Sequence, residues 1–123
     1  MSGETETFSF EKPIPSLWRK SVCGILRAGV NDSIFTTFQA DRDWAAAFPD
    51  AWDYDRFDAI IRALEAKEAG GRQIMDMDED GETYAFWFHF RGKKIYGKIN
   101  LLPNRKMIIL YSSHTPRKGE ENL

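Results

Sequence analysis

Long apolar runs are absent from this chain of 123 residues. No stretch approaches the roughly 18 apolar residues that a membrane-spanning helix needs, so none is expected. Cysteine is almost absent. Cys23 stands alone, which excludes a disulfide framework and fits a reducing compartment. The N-terminal MSGETETFSFEKP lacks a basic start followed by an apolar segment, so a secretory leader is not expected. Internal repeats and low-complexity segments are missing. So are GxGxxG, the P-loop, GxSxG, HExxH and any cysteine pair, which removes the common small-molecule enzyme signatures. These absences leave a soluble cytoplasmic protein as the expectation. The chain is 42% apolar and 14% aromatic, too much for a disordered segment, and one domain over 1–123 can bury a real core.

One further absence is local. From Thr83 to Gly119 there is no Asp or Glu, while Arg91, Lys93, Lys94, Lys98, Arg105, Lys106, Arg117 and Lys118 supply eight positive charges. The first 82 residues carry 17 acidic and 9 basic side chains, a net of −8. The formal net charge of −2 therefore conceals two parts of opposite sign. Such asymmetry bears on partners, because a positive stretch draws anions toward itself. Both histidines, His89 and His114, fall in the basic part.

Residues 1–15 read as a short edge strand or docked arm, with Phe8 and Phe10 as its apolar contacts and Pro13 and Pro15 limiting any ladder. Ser16 is the expected cap of a helix over 16–28, where Trp18, Val22, Ile25 and Leu26 form one apolar stripe and Gly29 is the stop. Arg19, Lys20 and Arg27 lie off that stripe, either as solvated surface or as phosphate contacts beside a basic sheet. Ile34 to Phe38 reads as a short strand or extended segment. Asp41 is expected to cap a helix over 42–48 that Pro49 ends. Asp53 or Asp55 caps the next, over 54–69, with Phe57, Ile60, Ile61 and Leu64 buried and Gly70-Gly71 as the stop. Asp50, Asp53, Asp55 and Asp58 cluster at that helix start, where carboxylates complement the helix dipole, and no metal role is expected of them.

Strands are expected over 72–78, 83–90, 94–102 and 106–113. Asp80-Gly81 has the composition of a two-residue hairpin turn, which would pair Met77 with Tyr84 and Met75 with Phe86. The acidic residues around it lack the spacing of a calcium loop. In the next hairpin, Tyr84, Phe86, Phe88 and Phe90 alternate with Ala85, Trp87 and His89. With Arg91-Gly92 as the turn, His89 faces Lys94, Trp87 faces Tyr96, and Ala85 faces Lys98. Phe86, Phe88, Ile95 and Ile99 then form the opposite, apolar face. The fold class is α+β: N-terminal helices packed on one face of a four-stranded antiparallel meander, with a flexible tail over 119–123. The side on which His114 lies depends on the loop before the last strand. One parity sets Ser112 and His114 beside Lys98 and Tyr96, the other sets Tyr111 and Ser113 there. Met107 to Leu110 is apolar in both parities and does not decide.

Cations that neutralise phosphate, interleaved with rings that stack on unpaired bases, suit a nucleic-acid face. The plain reading of the same residues is a solvent face with cross-strand aromatic pairs. Helices followed by an antiparallel meander, the segment YGKINLL with Lys98, and a last strand running into YSSHTPRKG resemble the barnase–EndoU–colicin–RelE group of ribonucleases, with a RelE-like or MqsR-like layout. The resemblance spans about residues 54–118. Many members are toxins of toxin–antitoxin pairs and are basic overall, whereas this chain is acidic. The resemblance implies cofactor-free, metal-independent RNA cleavage, with a cognate antitoxin or other acidic protein covering the basic face. His114 would be general acid or base, with His89 as its counterpart. Lys98 and Arg91 would stabilise the phosphate, and Ser113 or Ser112 would orient it. Trp87 and Tyr96 would stack on bases, with Lys94, Arg117 and Lys118 as further substrate contacts. A non-catalytic module docking nucleic acid or an acidic protein through the same face is the alternative.

Overall fold

The alternation between Tyr84 and Phe90 generates the centre of the fold. Two nine-residue strands, β4 (Glu82–Phe90) and β5 (Lys93–Leu101), pair antiparallel with His89 opposite Lys94, Trp87 opposite Tyr96 and Ala85 opposite Lys98. That is the register expected from the sequence. Arg91 and Gly92 both have positive φ, 51° and 76°, as a two-residue hairpin turn with right-handed strand twist requires. Gly97 lies on the inward face, where a Cβ would come within 2.9 Å of the Phe86 ring. Its missing side chain leaves the space that the Phe86 and Phe88 rings fill.

The computed structural model describes residues 12–120. The part of the expected N-terminal arm before Lys12, with Phe8 and Phe10, and the last three residues of the expected tail lie outside them. The other elements are β1 (Lys12–Pro13), α1 (Ser16–Ala28), β2 (Ile34–Thr36), α2 (Phe38–Ala47), α3 (Asp53–Glu65), β3 (Gly70–Ile74) and β6 (Ile108–His114). The α+β class holds, but the sheet is not a four-stranded meander. It has six strands in the order β1-β3-β4-β5-β6-β2. β2 runs parallel to β6 and covers its outer edge, and β1 caps β3. The helices pack on one face. Trp18, Val22 and Leu26 of α1, Ala40 and Trp44 of α2, and Ile60 and Leu64 of α3 share one core with Phe86, Phe88, Ile95, Ile99, Ile108 and Leu110. Among the described residues no helix is long and apolar enough to cross a membrane.

Several boundaries differ from expectation, some for local and some for tertiary reasons. The α2 helix starts four residues early because Thr37 caps it, its Oγ1 accepting from the Ala40 N–H at 3.1 Å. Asp41, the expected cap, instead accepts from the guanidinium of Arg56. Ser16 is already helical and Pro15 stands at the cap position without a side-chain bond. The α3 helix stops at Glu65, and Gly70-Gly71 belongs to β3, where a Cβ on Gly71 would strike the Ala85 carbonyl and Ile14. Gln73 therefore pairs with Tyr84 and Gly71 with Phe86, in place of Met77 and Met75. Residues 75–81 form a loop held by Asn100, whose Nδ2 donates to the Asp80 carbonyl at 3.0 Å. Gly81 has φ 129°, outside the values of the expected turn, and a Cβ there would collide with Asn100. The slip is four residues, an even number, so β3 keeps its expected faces.

Cys23, on the inner side of α1, is 3% exposed, and burial, aided by Glu65, pushes its thiol up to about 11. At pH 8 such a thiol is roughly 0.1% thiolate, against about a quarter for a free cysteine. Native protein should therefore react with iodoacetamide at least about 100-fold more slowly than urea-unfolded protein. Similar rates in the two states would mean that α1 does not seal the thiol.

Candidate functional site

With the helices on one side, the outward residues of β4, β5 and β6 form a face that no helix among the described residues covers. Across its centre runs a row of three rings. Trp87 meets Tyr96 edge-on at 5.9 Å, and Tyr96 stacks on His114 at 5.0 Å with planes 12° apart. Lys94 sits 4.2 Å above the Trp87 ring. On the other side of Tyr96, Lys98 lies opposite Ser112 and 6.0 Å from the Tyr111 ring. A bulge lies where Lys98 and Ile99 pair with β6 and sets the parity of the last strand. Leu110 faces the core beside Ile99, the extra residue is absorbed at Tyr111–Ser112, and His114 emerges beside Tyr96 on the open side.

Lys98 is half-buried, and burial lowers its pKa from the ordinary lysine value, with Arg117 acting in the same direction and Glu120 against it. Among the described residues it has no carboxylate within ion-pair distance. Burial likewise raises the Tyr96 and Tyr111 hydroxyls, helped at Tyr96 by Glu120 and at Tyr111 by Glu79 and Asp78. The face is thus less free of acid than the sequence of its strands implies. The loop 75–81 brings carboxylates to one end and Glu120 brings one to the other.

His114 is 6% exposed. Its Nδ1 lies 2.8 Å from the Thr115 carbonyl, which can only accept, so Nδ1 carries the proton. In the neutral ring Nε2 is then the bare nitrogen. His114 also lines a shallow hollow with Asp43, Ala47 and Arg117.

The remaining candidate residues are scattered. His89 is exposed at the far corner, two strands and two residues from His114, roughly 12 Å between Cα atoms at ordinary sheet spacings. Lys94 and Tyr96 lie between, so the two histidines do not form a pair. Ser113 faces the other side of the sheet. It is fully buried, donates to the Ala40 carbonyl at 3.0 Å and accepts from Arg56 at 3.1 Å. Arg91 bends back from its turn to Asp50 at 2.7 Å. Arg117 is held by Asp43 at 2.8 Å, and Lys118 is exposed. Arg19 and Arg27 are bound within the helical layer. Arg19 donates to the Ile14 and Leu64 carbonyls, and Arg27 pairs with Glu65. With Lys20 they border a hollow between α1 and α3, on the other side of the molecule from the open face.

No family model, curated protein or solved structure matches the chain. Among the described residues no three His, Cys, Asp or Glu side chains gather as around a metal ion. The four aspartates near α3 have separate partners. Asp50 holds Arg91, Asp53 holds Arg56, Asp55 accepts from the Trp52 N–H, and Asp58 holds Arg62. Arg56 is the residue that the sequence reading overlooked. It is charged and fully buried, and its only sequence signal is its place on the inward stripe of α3.

Proposed function

We propose that the face opposite the helices binds single-stranded RNA and cleaves it without a metal, as a toxin-type endoribonuclease. The observation that carries this reading is Lys98, a half-buried ammonium without a carboxylate partner among the described residues, set between Tyr96–His114 and Tyr111–Ser112. A desolvated cation is stabilised by an anion of matching geometry, and phosphate is the anion that aromatic neighbours accompany in nucleic acid. Nε2 of His114 takes the proton of a ribose 2′-hydroxyl, whose oxygen attacks the adjacent phosphorus. The bond to the 5′-oxygen breaks as a proton donor, water or a side chain, completes the leaving group. Lys98 offsets the added charge on the phosphorane, Ser112 donates a hydrogen bond, and Trp87 and Tyr96 stack on flanking bases. Ser113 and Arg91 take no part, since both are engaged elsewhere. An acidic antitoxin segment would compete for the same cations.

The burial of His114, and the hold of its neighbour's carbonyl on Nδ1, favour a second reading in which the face binds RNA or an acidic protein without cleaving it. Incubation with RNA in EDTA separates the two. Wild-type protein should leave 2′,3′-cyclic phosphate ends, and His114→Ala should slow cleavage by about 10²–10⁴-fold with RNA affinity little changed. Cleavage by both proteins would remove His114 from the chemistry. Binding without cleavage by wild type would leave the second reading.

A further inference from the structure

The basic stretch of the sequence ends at Gly119, and the next residue is an acid that folds back. Residues 117–120 form a turn in which the Glu120 N–H donates to the Arg117 carbonyl at 2.8 Å. The Glu120 carboxylate returns the contact, Oε1 accepting from the Arg117 N–H at 2.8 Å. Arg117 is itself clamped to Asp43 on α2, so the turn is fixed to the body of the protein. The same Oε1 lies 3.6 Å from Nδ1 of His114, and the Glu120 side chain is only 23% exposed. Its charge acts on Lys98 and on Tyr96. No carboxylate from the strands themselves could take this place, because β5 and β6 contain none.

We infer that Glu120 occupies an anion subsite of the open face, formed by the Arg117 N–H and the edge of His114, and that a backbone phosphate of RNA replaces it. This rests on the RNA reading above. The turn presents one backbone donor to an oxygen anion, with the imidazole edge 3.6 Å away, and a phosphate oxygen accepts from that N–H as a carboxylate does. Glu120 then acts as an internal competitor. It favours the ammonium form of Lys98 on the empty face and raises the threshold for ligands of low charge. A carboxylate that must leave costs affinity equal to its own hold on the site.

Glu120→Gln tests this without dismantling the turn, because the amide oxygen still accepts from the Arg117 N–H and only the charge is lost. Binding of a fluorescent single-stranded RNA, measured by anisotropy at low salt, should tighten by about two- to fivefold, the scale of one partly exposed ion pair. Lys118→Gln, an exposed neighbour, should weaken it slightly. A second readout needs no RNA. Acylation of Lys98 by an amine-reactive ester, followed by mass spectrometry, should be faster in Glu120→Gln, because the charge that favours its ammonium form is gone. RNA binding that Glu120→Gln leaves unchanged or weakens would overturn the subsite while leaving the RNA reading in place. If no variant binds RNA, that reading fails, and the acylation rates decide alone: acceleration supports an internal anion on the cationic face, and equal rates exclude it.

Discussion

Arg56→Ala is expected to lower the unfolding free energy by about 3–5 kcal/mol, read as a fall in the urea midpoint. The guanidinium is fully buried at the meeting point of α2, α3 and β6. Its Nη2 reaches Asp41 at 2.9 Å and Asp53 at 3.1 Å, and its Nη1 reaches Ser113 at 3.1 Å. It also lies 5.7 Å from the centre of the Trp44 ring and 5.5 Å from that of Phe57. Truncation removes these charge-assisted bonds and leaves a cavity between the two rings. The two carboxylates are replaceable singly, because their side chains are 49% and 73% exposed and each leaves the other in place. Asp41→Asn or Asp53→Asn should cost about 1 kcal/mol or less. The double substitution leaves a buried cation with neutral partners and should exceed the sum of the singles by about 0.5–3 kcal/mol. Strict additivity would mean that the guanidinium does not depend on its carboxylates.

That prediction bears on the site as well as on stability. Ser113 precedes His114, and the Arg56–Ser113 bond pins the end of β6 with Ser113 inward and His114 outward. A positional effect of Arg56 on the open face would appear as a loss of the Tyr96–His114 ring contact in aromatic NMR shifts, even where the variant remains folded. Arg56→Lys should not restore it, since one ammonium cannot supply the fork that meets Ser113 and both carboxylates at once.

The contrast between β4–β5 and β6 shows what could be read from residues alone. In β4 the alternation is strict and Gly92 supplies one of the two positive-φ positions of the turn, so face and register followed to the residue even with Arg91 at the other. In β6 four consecutive apolar residues carry no parity, and the bulge that places Tyr111 and Ser112 on one face obeys no period. The inward turn of Ser113 depends on an arginine 57 positions earlier. Strands β1 and β2 are two and three residues long, and the parallel pairing of β2 with β6 is entirely non-local. The Asp80-Gly81 signal was misleading because Asn100, on another strand, holds the loop. The charge pattern was legible along the chain and incomplete in space, since Glu120 and the loop 75–81 return acid to a face on which the interior positions of β4, β5 and β6 place none.

Lys98→Ala is expected to abolish most cleavage, by about 10²–10³-fold in kcat, the usual cost of losing one preorganised group at a developing oxyanion. Its position makes the loss specific. Lys98 lies opposite Ser112 and two residues along β5 from Tyr96, so its ammonium reaches the space between the ring row and Tyr111. Lys94 has a different place, over Trp87, and cannot move there to replace it. Burial works against the charge of Lys98 in the empty protein, so an anion that restores the balance gains more from it than from a solvated lysine. RNA affinity should fall as well, and the slope of log K against log salt should flatten by about 0.7, one phosphate contact on a single strand. Lys98→Arg should recover the salt slope and part of the rate. Unchanged kcat in Lys98→Ala, with the salt slope reduced, would make Lys98 a binding cation and move the stabilisation of the phosphorane elsewhere. A salt slope equal to that of wild type would place the RNA off this face altogether.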